Sequence, residues 1–223
     1  MTLEEIGRQK RKKLATRRRI FEAALKLFRE KGYEATTIDD IALEADVAKT
    51  TFFKHFPRKY EIILEFLEKR RERIMAAASE EQIGHLSTKM QLAHILSTTV
   101  MLNESDPIIT EIAMTEYVRS GDIIQMDTPI IELFYKTLER GKERGEIRLD
   151  VSSHVVARVL WAYYVDSLFS WVRSKREQPL GPMLLAGIDV IFEGIANTSA
   201  AAHVPAVTSA SPGSGEKILM NGS

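Results

Sequence analysis

The chain has 223 residues, balances 31 basic against 31 acidic side chains, and contains no cysteine. The lack of cysteine excludes disulfides, thiolate nucleophiles and cysteine-bound zinc. Charge is distributed unevenly, because residues 1–75 hold 19 basic against 13 acidic residues, so we expect only the N-terminal part to meet a polyanion. Even the most apolar stretch, residues 161–172, is too short to span a bilayer, and a soluble cytoplasmic protein is expected.

Apolar side chains recur at helical spacing along most of the chain, and no stretch keeps the period of two that a strand shows. Helix boundaries are marked by Gly32 at the end of the first helix, by Thr36 and Thr37 as candidate N-caps, and by Pro57. The sequence therefore predicts an all-α fold of about nine helices. They cover residues 20–31, 38–45, 48–54, 58–78, 88–103, 107–120, 128–143, 153–175 and 182–196.

Residues 37–56 have the pattern of two short helices joined by a tight turn. Ile41 and Ala42 supply the apolar side of the first helix, and Asp46 occupies the turn, where a left-handed backbone is expected. The second helix can bury Phe52 against the rest of the domain. This is a helix-turn-helix pattern, in which the second helix enters the DNA major groove. The residues left facing outward are Lys49, Thr50, Thr51, Lys54 and His55.

The same motif carries a family resemblance. Residues 16–64, TRRRIFEAALKLFREKGYEATTIDDIALEADVAKTTFFKHFPRKYEIIL, contain the helix end at Gly32, the Thr-Thr pair, and the closing His55-Phe56 followed by Lys59. In this order they resemble the N-terminal DNA-binding domain of TetR-type transcriptional regulators. The DNA-binding residues that the resemblance implies are Thr36, Thr37, Lys49, Thr50, Thr51, Phe53, Lys54, His55 and Lys59.

Three positions depart from the family pattern. Asp46 stands where glycine is usual, and Ala48 replaces the serine that caps the recognition helix, which removes a cap worth roughly 1 kcal/mol. Phe53 stands where tyrosine is usual, so the hydrogen bond that a tyrosine hydroxyl would donate to a phosphate is not available. Non-specific DNA affinity is therefore expected to depend more on the lysines and on the N-terminal arm.

The two ends of the chain differ in composition from the helical part. Residues 8–19, RQKRKKLATRRR, hold eight basic residues and no acidic one. Such a run is either a solvated tail or an arm that reaches the minor groove or the DNA backbone, and both remain open. Residues from 197 onward are mainly Ala, Ser, Pro and Gly, which is typical of disorder. The predicted organisation is a disordered basic arm (1–13), a three-helix DNA-binding domain (14–57), a larger ligand-binding and dimerisation domain (58–196) and a disordered tail (197–223).

The resemblance also implies a small-molecule pocket among the middle helices and a four-helix dimer interface made by the last two. His94 is either a core residue or part of a cavity wall, and Asp166, if buried, requires a partner such as an arginine, a donor across the dimer or a cationic ligand. The candidate ligand-binding residues are His94, Thr98, Met101, Tyr117, Phe134, Tyr163 and Asp166. The candidate dimer-interface residues are Tyr164, Leu168, Trp171, Leu184, Ile188 and Ile191.

The function that the resemblance implies is a ligand-responsive transcriptional regulator, expected to be a repressor. It would bind a pseudo-palindromic operator in double-stranded DNA as a homodimer, and a small-molecule effector would release it. The alternative is a DNA-bound protein of the same fold that recruits a protein partner in nucleoid or division control. No enzyme, cofactor, metal or membrane partner is predicted, because the sequence has no Gly-rich phosphate loop and no histidines at metal-ligand spacing.

Overall fold

The computed structural model describes residues 3–120 and 128–195, which form ten α-helices and no strand. The predicted all-α fold is confirmed. None of these helices combines the length and the apolar character that a membrane crossing requires. The helices are α1 (Leu3–Lys31), α2 (Ile38–Glu44), α3 (Lys49–His55), α4 (Tyr60–Ala77), α5 (Glu80–Ile83), α6 (Thr88–Glu104), α7 (Pro107–Ser120), α8 (Thr128–Glu143), α9 (Ser153–Arg173) and α10 (Leu180–Ile195). The helix missed by the sequence is α5, whose four residues are too few to show a period.

Helix α1 begins earlier than the sequence predicts. Residues 3–13, assigned above to a disordered arm, form its first turns. Lysine, arginine, leucine and glutamine favour helix and no proline interrupts the segment, so α1 extends outward from its buried part, which begins at Ile20. The basic run therefore lies on a helix. The predicted tail, residues 197–223, lies outside the described residues, as does residue 196.

Aromatic rings fill the core around α1, α2 and α3. Phe28 of α1, Phe52 of α3 and Phe56 immediately after α3 have no exposed surface. Burying a phenylalanine side chain contributes roughly 1.5–3 kcal/mol, so these rings fix the position of α3. Helices α4 and α7 complete this N-terminal core with Ile62, Ile63, Ile109 and Ala113.

A second core fills the bundle formed by α4, α6, α8, α9 and α10. Within this bundle α9 crosses α10 closely, and the Tyr163 hydroxyl donates a hydrogen bond to the carbonyl of Met183. A Cβ atom at Gly187 would overlap the ring of Tyr163. Glycine at this position therefore allows the two helices to approach closely.

Candidate DNA-binding surface and interior cavity

Local hydrogen bonds fix the approach to α3. The Thr37 side chain accepts from the Asp40 amide at 3.1 Å, and the Asp40 carboxylate accepts from the Thr37 amide at 2.9 Å, so α2 begins with a reciprocal cap. Hydrogen bonds from Thr37, and then from Lys31, hold the pKa of Asp40 down to about 2. Asp46 has a left-handed backbone with φ of 50°, as the sequence predicts. Helix α3 thus starts from a well-defined turn.

One side of α3 is anchored in the core and the other faces solvent. The buried Phe52 ring lies 6.1 Å from that of Phe56 on the inner side. The neighbouring Phe53 exposes 43% of its surface and meets Phe52 edge-on at 5.6 Å. The outer face therefore combines an apolar ring with ammonium and hydroxyl groups. Its exposed or half-buried residues are Lys49, Thr50, Thr51, Phe53, Lys54 and His55.

Thr36 and Lys59 lie behind this face and bond to backbone carbonyls. Thr36 is only 1% exposed, and its hydroxyl donates to the Gly32 carbonyl at 2.8 Å. The Lys59 ammonium donates to the carbonyls of Tyr33 at 2.6 Å and Thr36 at 3.0 Å, and it lies 4.1 Å from the centre of the Tyr33 ring. Lys59 therefore ties the α1–α2 loop to the start of α4, and Thr36 holds the loop against the end of α1.

A second tie joins the end of α3 to α1 and α4. The guanidinium of Arg17 donates to the His55 carbonyl, donates to Glu65 at 2.7 Å, and stacks 4.1 Å from the centre of the Phe56 ring. The His55 Nδ1 atom is buried without a partner among the described residues. Burial lowers the pKa of His55, and the positive charges of Arg17 and Lys13 lower it further. The imidazole is therefore neutral at pH 7.

Positive charge lines the edge of this surface. The basic side chains of residues 8–13 are exposed along the first turns of α1, and Lys54 is exposed on α3. Lys49 forms an ion pair with Asp39 at 2.8 Å, although both side chains remain more than half exposed. A pair exposed to this extent contributes little stability, so Lys49 is able to exchange Asp39 for a phosphate at small cost.

A cavity of about 360 Å³ lies between α4, α6, α7 and α9. Its wall is largely apolar and includes Ile74 and Trp161. Polar groups form a chain on one side: Arg70 Nη1 donates to Asn103 Oδ1 at 2.7 Å, and Asn103 Nδ2 donates to the hydroxyl oxygen of Tyr164 at 3.0 Å. Arg70 is 9% exposed, and burial lowers its pKa to about 10, so it stays charged at pH 7.

Three of the residues predicted for ligand binding lie on the exposed surface, away from this cavity. His94, Met101 and Asp166 are exposed, so His94 is not a core residue and Asp166 does not require a buried partner. Although most residues of α9 are apolar, one strip of the helix is exposed. Asp166 lies on this strip, after Val159 and Ala162 at helical spacing. The aromatic surroundings of Asp166 in the sequence therefore gave a misleading impression of burial.

Three further predicted residues are also placed elsewhere. Thr98 is buried but does not line the cavity, and Tyr163 bonds to the α10 backbone. Phe134 lines a separate void of about 30 Å³ beside the cavity. The side chain of Tyr117 lies outside what the structure describes.

Arg70 is the functional candidate that sequence analysis missed. It lies in the run EKRRER, which reads as a charged, solvated helix face. Helical spacing nevertheless places Arg70 on the face of Ile63, Leu67 and Ile74, at intervals of four, three and four residues. A charge in register with an apolar stripe was the signal that marked it as buried.

The predicted dimer residues are mostly enclosed by their own subunit. Ile191 is half-buried, and the other five are buried, namely Tyr164, Leu168, Trp171, Leu184 and Ile188. These five side chains have little surface left for a partner. The large apolar residues that α9 and α10 leave exposed are Val155, Val159, Leu185 and Val190.

Comparison with known proteins connects this geometry to a family. The model for "Bacterial regulatory proteins, tetR family" matches residues 20–66, which include α2 and α3. The HTH-type transcriptional repressor KstR of Rhodococcus jostii strain RHA1 is 30% identical over 162 residues, which is 70% of this chain and 72% of that relative. This match extends well beyond the helix-turn-helix into the C-terminal bundle.

Solved structures share the fold. The TetR-family repressor FadR of Thermus thermophilus, in complex with lauroyl-CoA, has a TM-score of 0.63 at 23% identity and covers 90% of this chain and 100% of its own. FadR of Bacillus subtilis, in complex with stearoyl-CoA, has a TM-score of 0.66 at 22% identity and covers 79% of this chain and 98% of its own. With its solvent-facing α3, its family match and its KstR-like sequence, the chain belongs to the TetR family of DNA-binding transcriptional regulators.

Proposed function

We propose that this regulator is a homodimeric repressor that binds a pseudo-palindromic operator and releases it when a small molecule occupies the cavity. The position of α7 carries this proposal. Ala113 of α7 is buried in the N-terminal core that holds α3, and the same residue lines the cavity. A ligand that displaces α7 therefore also displaces the support of the DNA-binding helix.

The outer face of α3 is the proposed reading surface. In helix-turn-helix proteins the N-terminal part of the recognition helix meets base edges, which here corresponds to Lys49 and Thr50. Phe53 offers an apolar surface to thymine methyl groups, and Lys54 offers a charge to phosphate. The remaining proposed contacts are Thr51 and His55.

Three residues that the resemblance implies as DNA contacts have a supporting role in this proposal. Thr36 and Lys59 bond to the carbonyls of the α1–α2 loop, and Thr37 caps α2. We therefore assign them to positioning the helices that meet the phosphate backbone.

Two ion pairs extend the proposed coupling between α7 and α1. Arg29 near the end of α1 binds Asp106, just before α7, at 2.7 Å. Arg119 in the last turn of α7 binds Glu34 in the α1–α2 loop and Glu116 one turn before it. The Arg119–Glu34 pair is exposed and adds little to this coupling, whereas Asp106 and Ala113 are held more firmly against the N-terminal core. A shift of α7 would therefore turn α1, and the two recognition helices of a dimer would lose their spacing of about 34 Å.

The proposed dimer forms through the exposed strips of α9 and α10. Val155, Val159 and Val190 expose 60%, 46% and 72% of their surface, while the rest of each helix packs in its own subunit. A two-fold axis through this face would cover these side chains with their symmetry mates.

The cavity supports an effector in preference to protein recruitment. A regulator that acts only by recruiting a partner has no need of an interior space with a charged group in its wall. Two structural relatives are described as complexes with lauroyl-CoA and stearoyl-CoA, which agrees with an effector that has a large apolar part. We propose the same general character for the effector of this protein.

Operator reading is tested by selecting duplexes from a random library. The wild-type protein is expected to enrich two inverted half-sites whose centres are one helical turn, or a multiple of it, apart. Thr50→Ala is expected to change the enriched bases without abolishing binding. The control Thr115→Ala, on the exposed side of α7, should enrich the wild-type site. No enrichment by the wild type, or identical sites from wild type and Thr50→Ala, would contradict the proposed reading surface.

A further inference from the structure

Arg70, whose side chain lines the cavity, has one guanidinium nitrogen without a partner among the described residues. Arg70 Nη2 is buried and has no hydrogen-bond partner in the part of the chain that the structure describes, whereas Nη1 of the same guanidinium donates to Asn103. Leaving a buried charged donor unpaired costs far more than leaving a neutral one unpaired. The atom lies in the residue that joins the apolar wall of the cavity to its polar side.

The other polar groups of the cavity direct their protons elsewhere. The Thr99 hydroxyl donates to the Ile95 carbonyl at 2.8 Å, and the Thr110 hydroxyl donates to the Asn103 and Asp106 carbonyls. Both protons of the Asn103 amide are used, one on the Thr99 carbonyl and one on Tyr164. Arg70 Nη2 is therefore a buried and charged donor that these neighbouring groups leave to a ligand.

No carboxylate of the described residues lies within ion-pair distance of Arg70. Glu68, which also lines the cavity, forms an ion pair with Arg71, and Asp106 forms one with Arg29. The guanidinium instead stacks 4.4 Å from the centre of the Phe66 ring. Its charge is thus held in an apolar setting without a neutralising partner, which favours an anion over a neutral acceptor.

We propose that the effector is an amphipathic monocarboxylate whose carboxylate binds Arg70 and whose hydrocarbon body fills the cavity beside Ile74, Met114 and Trp161. The planar guanidinium matches a carboxylate in shape and charge. The volume of about 360 Å³ is at the small end of ligand pockets, which span about 300–1,000 Å³. A free acid fits within this space, whereas the nucleotide part of a thioester with coenzyme A would lie outside it.

This inference rests on the proposed effector-released repressor and adds the chemical class of the effector. Decanoate, its methyl ester and decanoyl-CoA serve as probes, because they share one chain and differ in the end group. Binding to the full-length protein is measured by titration calorimetry and by tryptophan fluorescence, because one of the two tryptophans, Trp161, lines the cavity. Wild type is expected to bind decanoate about tenfold or more tightly than the methyl ester, as a charged hydrogen bond predicts.

Arg70→Met tests whether Arg70 is responsible for the preference for decanoate over its methyl ester. The substitution removes a buried charge that has no ion-pair partner among the described residues and keeps an unbranched apolar chain, but it also leaves Asn103 Oδ1 without its donor. The two effects oppose each other, so the melting temperature of the free protein is expected to change little. The variant should bind decanoate no more tightly than the methyl ester. Arg73→Met, on the exposed side of α4, should retain the wild-type preference.

The outcomes separate this inference from the proposed function. Failure of decanoate to bind wild type, or a carboxylate preference that persists in Arg70→Met, would overturn the role of Arg70. Release of the selected operator by decanoyl-CoA alone, with equal potency in wild type and Arg70→Met, would overturn it too, while leaving the effector-released repressor intact. Failure of wild type to select any operator would instead contradict the repressor itself.

Discussion

Lys59 and Lys54 show that two basic side chains near one DNA surface can have different tasks. Lys54 extends into solvent from α3, whereas the Lys59 ammonium is half-buried and donates to the carbonyls of Tyr33 and Thr36. Burial lowers the pKa of Lys59, and the nearby charges of Glu34 and Glu116 offset only part of the change. We therefore expect Lys59 to contribute mainly to the stability of the fold and Lys54 mainly to DNA affinity.

Lys59→Met is therefore expected to destabilise the protein by about 1–3 kcal/mol, the usual cost of losing hydrogen bonds from a charged donor. Lys54→Met should leave stability unchanged and weaken binding to specific and scrambled duplexes alike, because it removes the phosphate contact proposed for this side chain. Chemical denaturation and DNA titration of both variants measure the two effects. The reverse pattern, a stable Lys59→Met protein with reduced DNA affinity, would make Lys59 a direct contact.

His55 predicts a pH dependence. Its folded-state pKa lies below the unfolded value of about 6.5, so the folded protein favours the neutral ring. This contribution to stability is complete above about pH 6.5 and is lost as the pH falls through the lowered folded-state pKa. Denaturation at neutral and mildly acidic pH should show a smaller acid-induced loss for His55→Gln than for wild type. The exposed His94 supplies the control, and an identical loss in His55→Gln and His94→Gln would refute the effect.

At the scale of helices, the sequence predicted where each helix lies along the chain better than which of its faces is buried. Helices α7, α8 and α9 begin close to their predicted starts, because Pro107, Thr128 and Ser152 are strong local signals. The start of α1 was missed, since a basic run suits both a tail and a helix. The faces of α9 were also missed, because Asp166 is placed by tertiary packing that local periodicity does not determine.

The close crossing of α9 and α10 gives a prediction with a matched control on one helix. Gly187→Ala would place a methyl group against the Tyr163 ring and is expected to cost about 1–3 kcal/mol, as overpacking does. Gly194→Ala, in the last turn of α10, meets no atom within 4 Å and should be neutral or slightly stabilising, since alanine favours helix. Thermal denaturation distinguishes them, and equal stability would mean that the crossing adjusts freely.

At the scale of the whole molecule, the proposed dimer face is smaller than the sequence suggested. Much of the apolar surface of α9 and α10 is used by the subunit itself, so a helix that is apolar on several sides does not by itself indicate a partner. The family match covers the recognition helix, where the sequence is most informative. Pocket and interface residues depend on how ten helices pack, which a single sequence specifies only indirectly.

Val190→Asp tests this face without entering the core. Val190 is 72% exposed, so an aspartate at this position should not destabilise a single subunit. In an apolar interface the same charge would lose its hydration, which should shift the dimer towards monomer and weaken operator binding. Sedimentation and DNA titration measure both changes. Val118→Asp, on α7 and 49% exposed, should remain dimeric. A Val190→Asp protein that sediments as wild type would exclude this face as the dimer interface. Ile188→Asp is not a suitable test, because Ile188 is buried in its own subunit and the change would disturb the core.

The shared membership of Ala113 in the N-terminal core and in the cavity wall has a thermodynamic consequence. If a cavity ligand lowers operator affinity through α7, the coupling free energy is reciprocal, and operator DNA must lower ligand affinity by the same factor. A repressor already bound to its operator is then less sensitive to the effector than the free protein. The cell's sensitivity to the small molecule would thus depend on how many operators and how many copies of the repressor it contains.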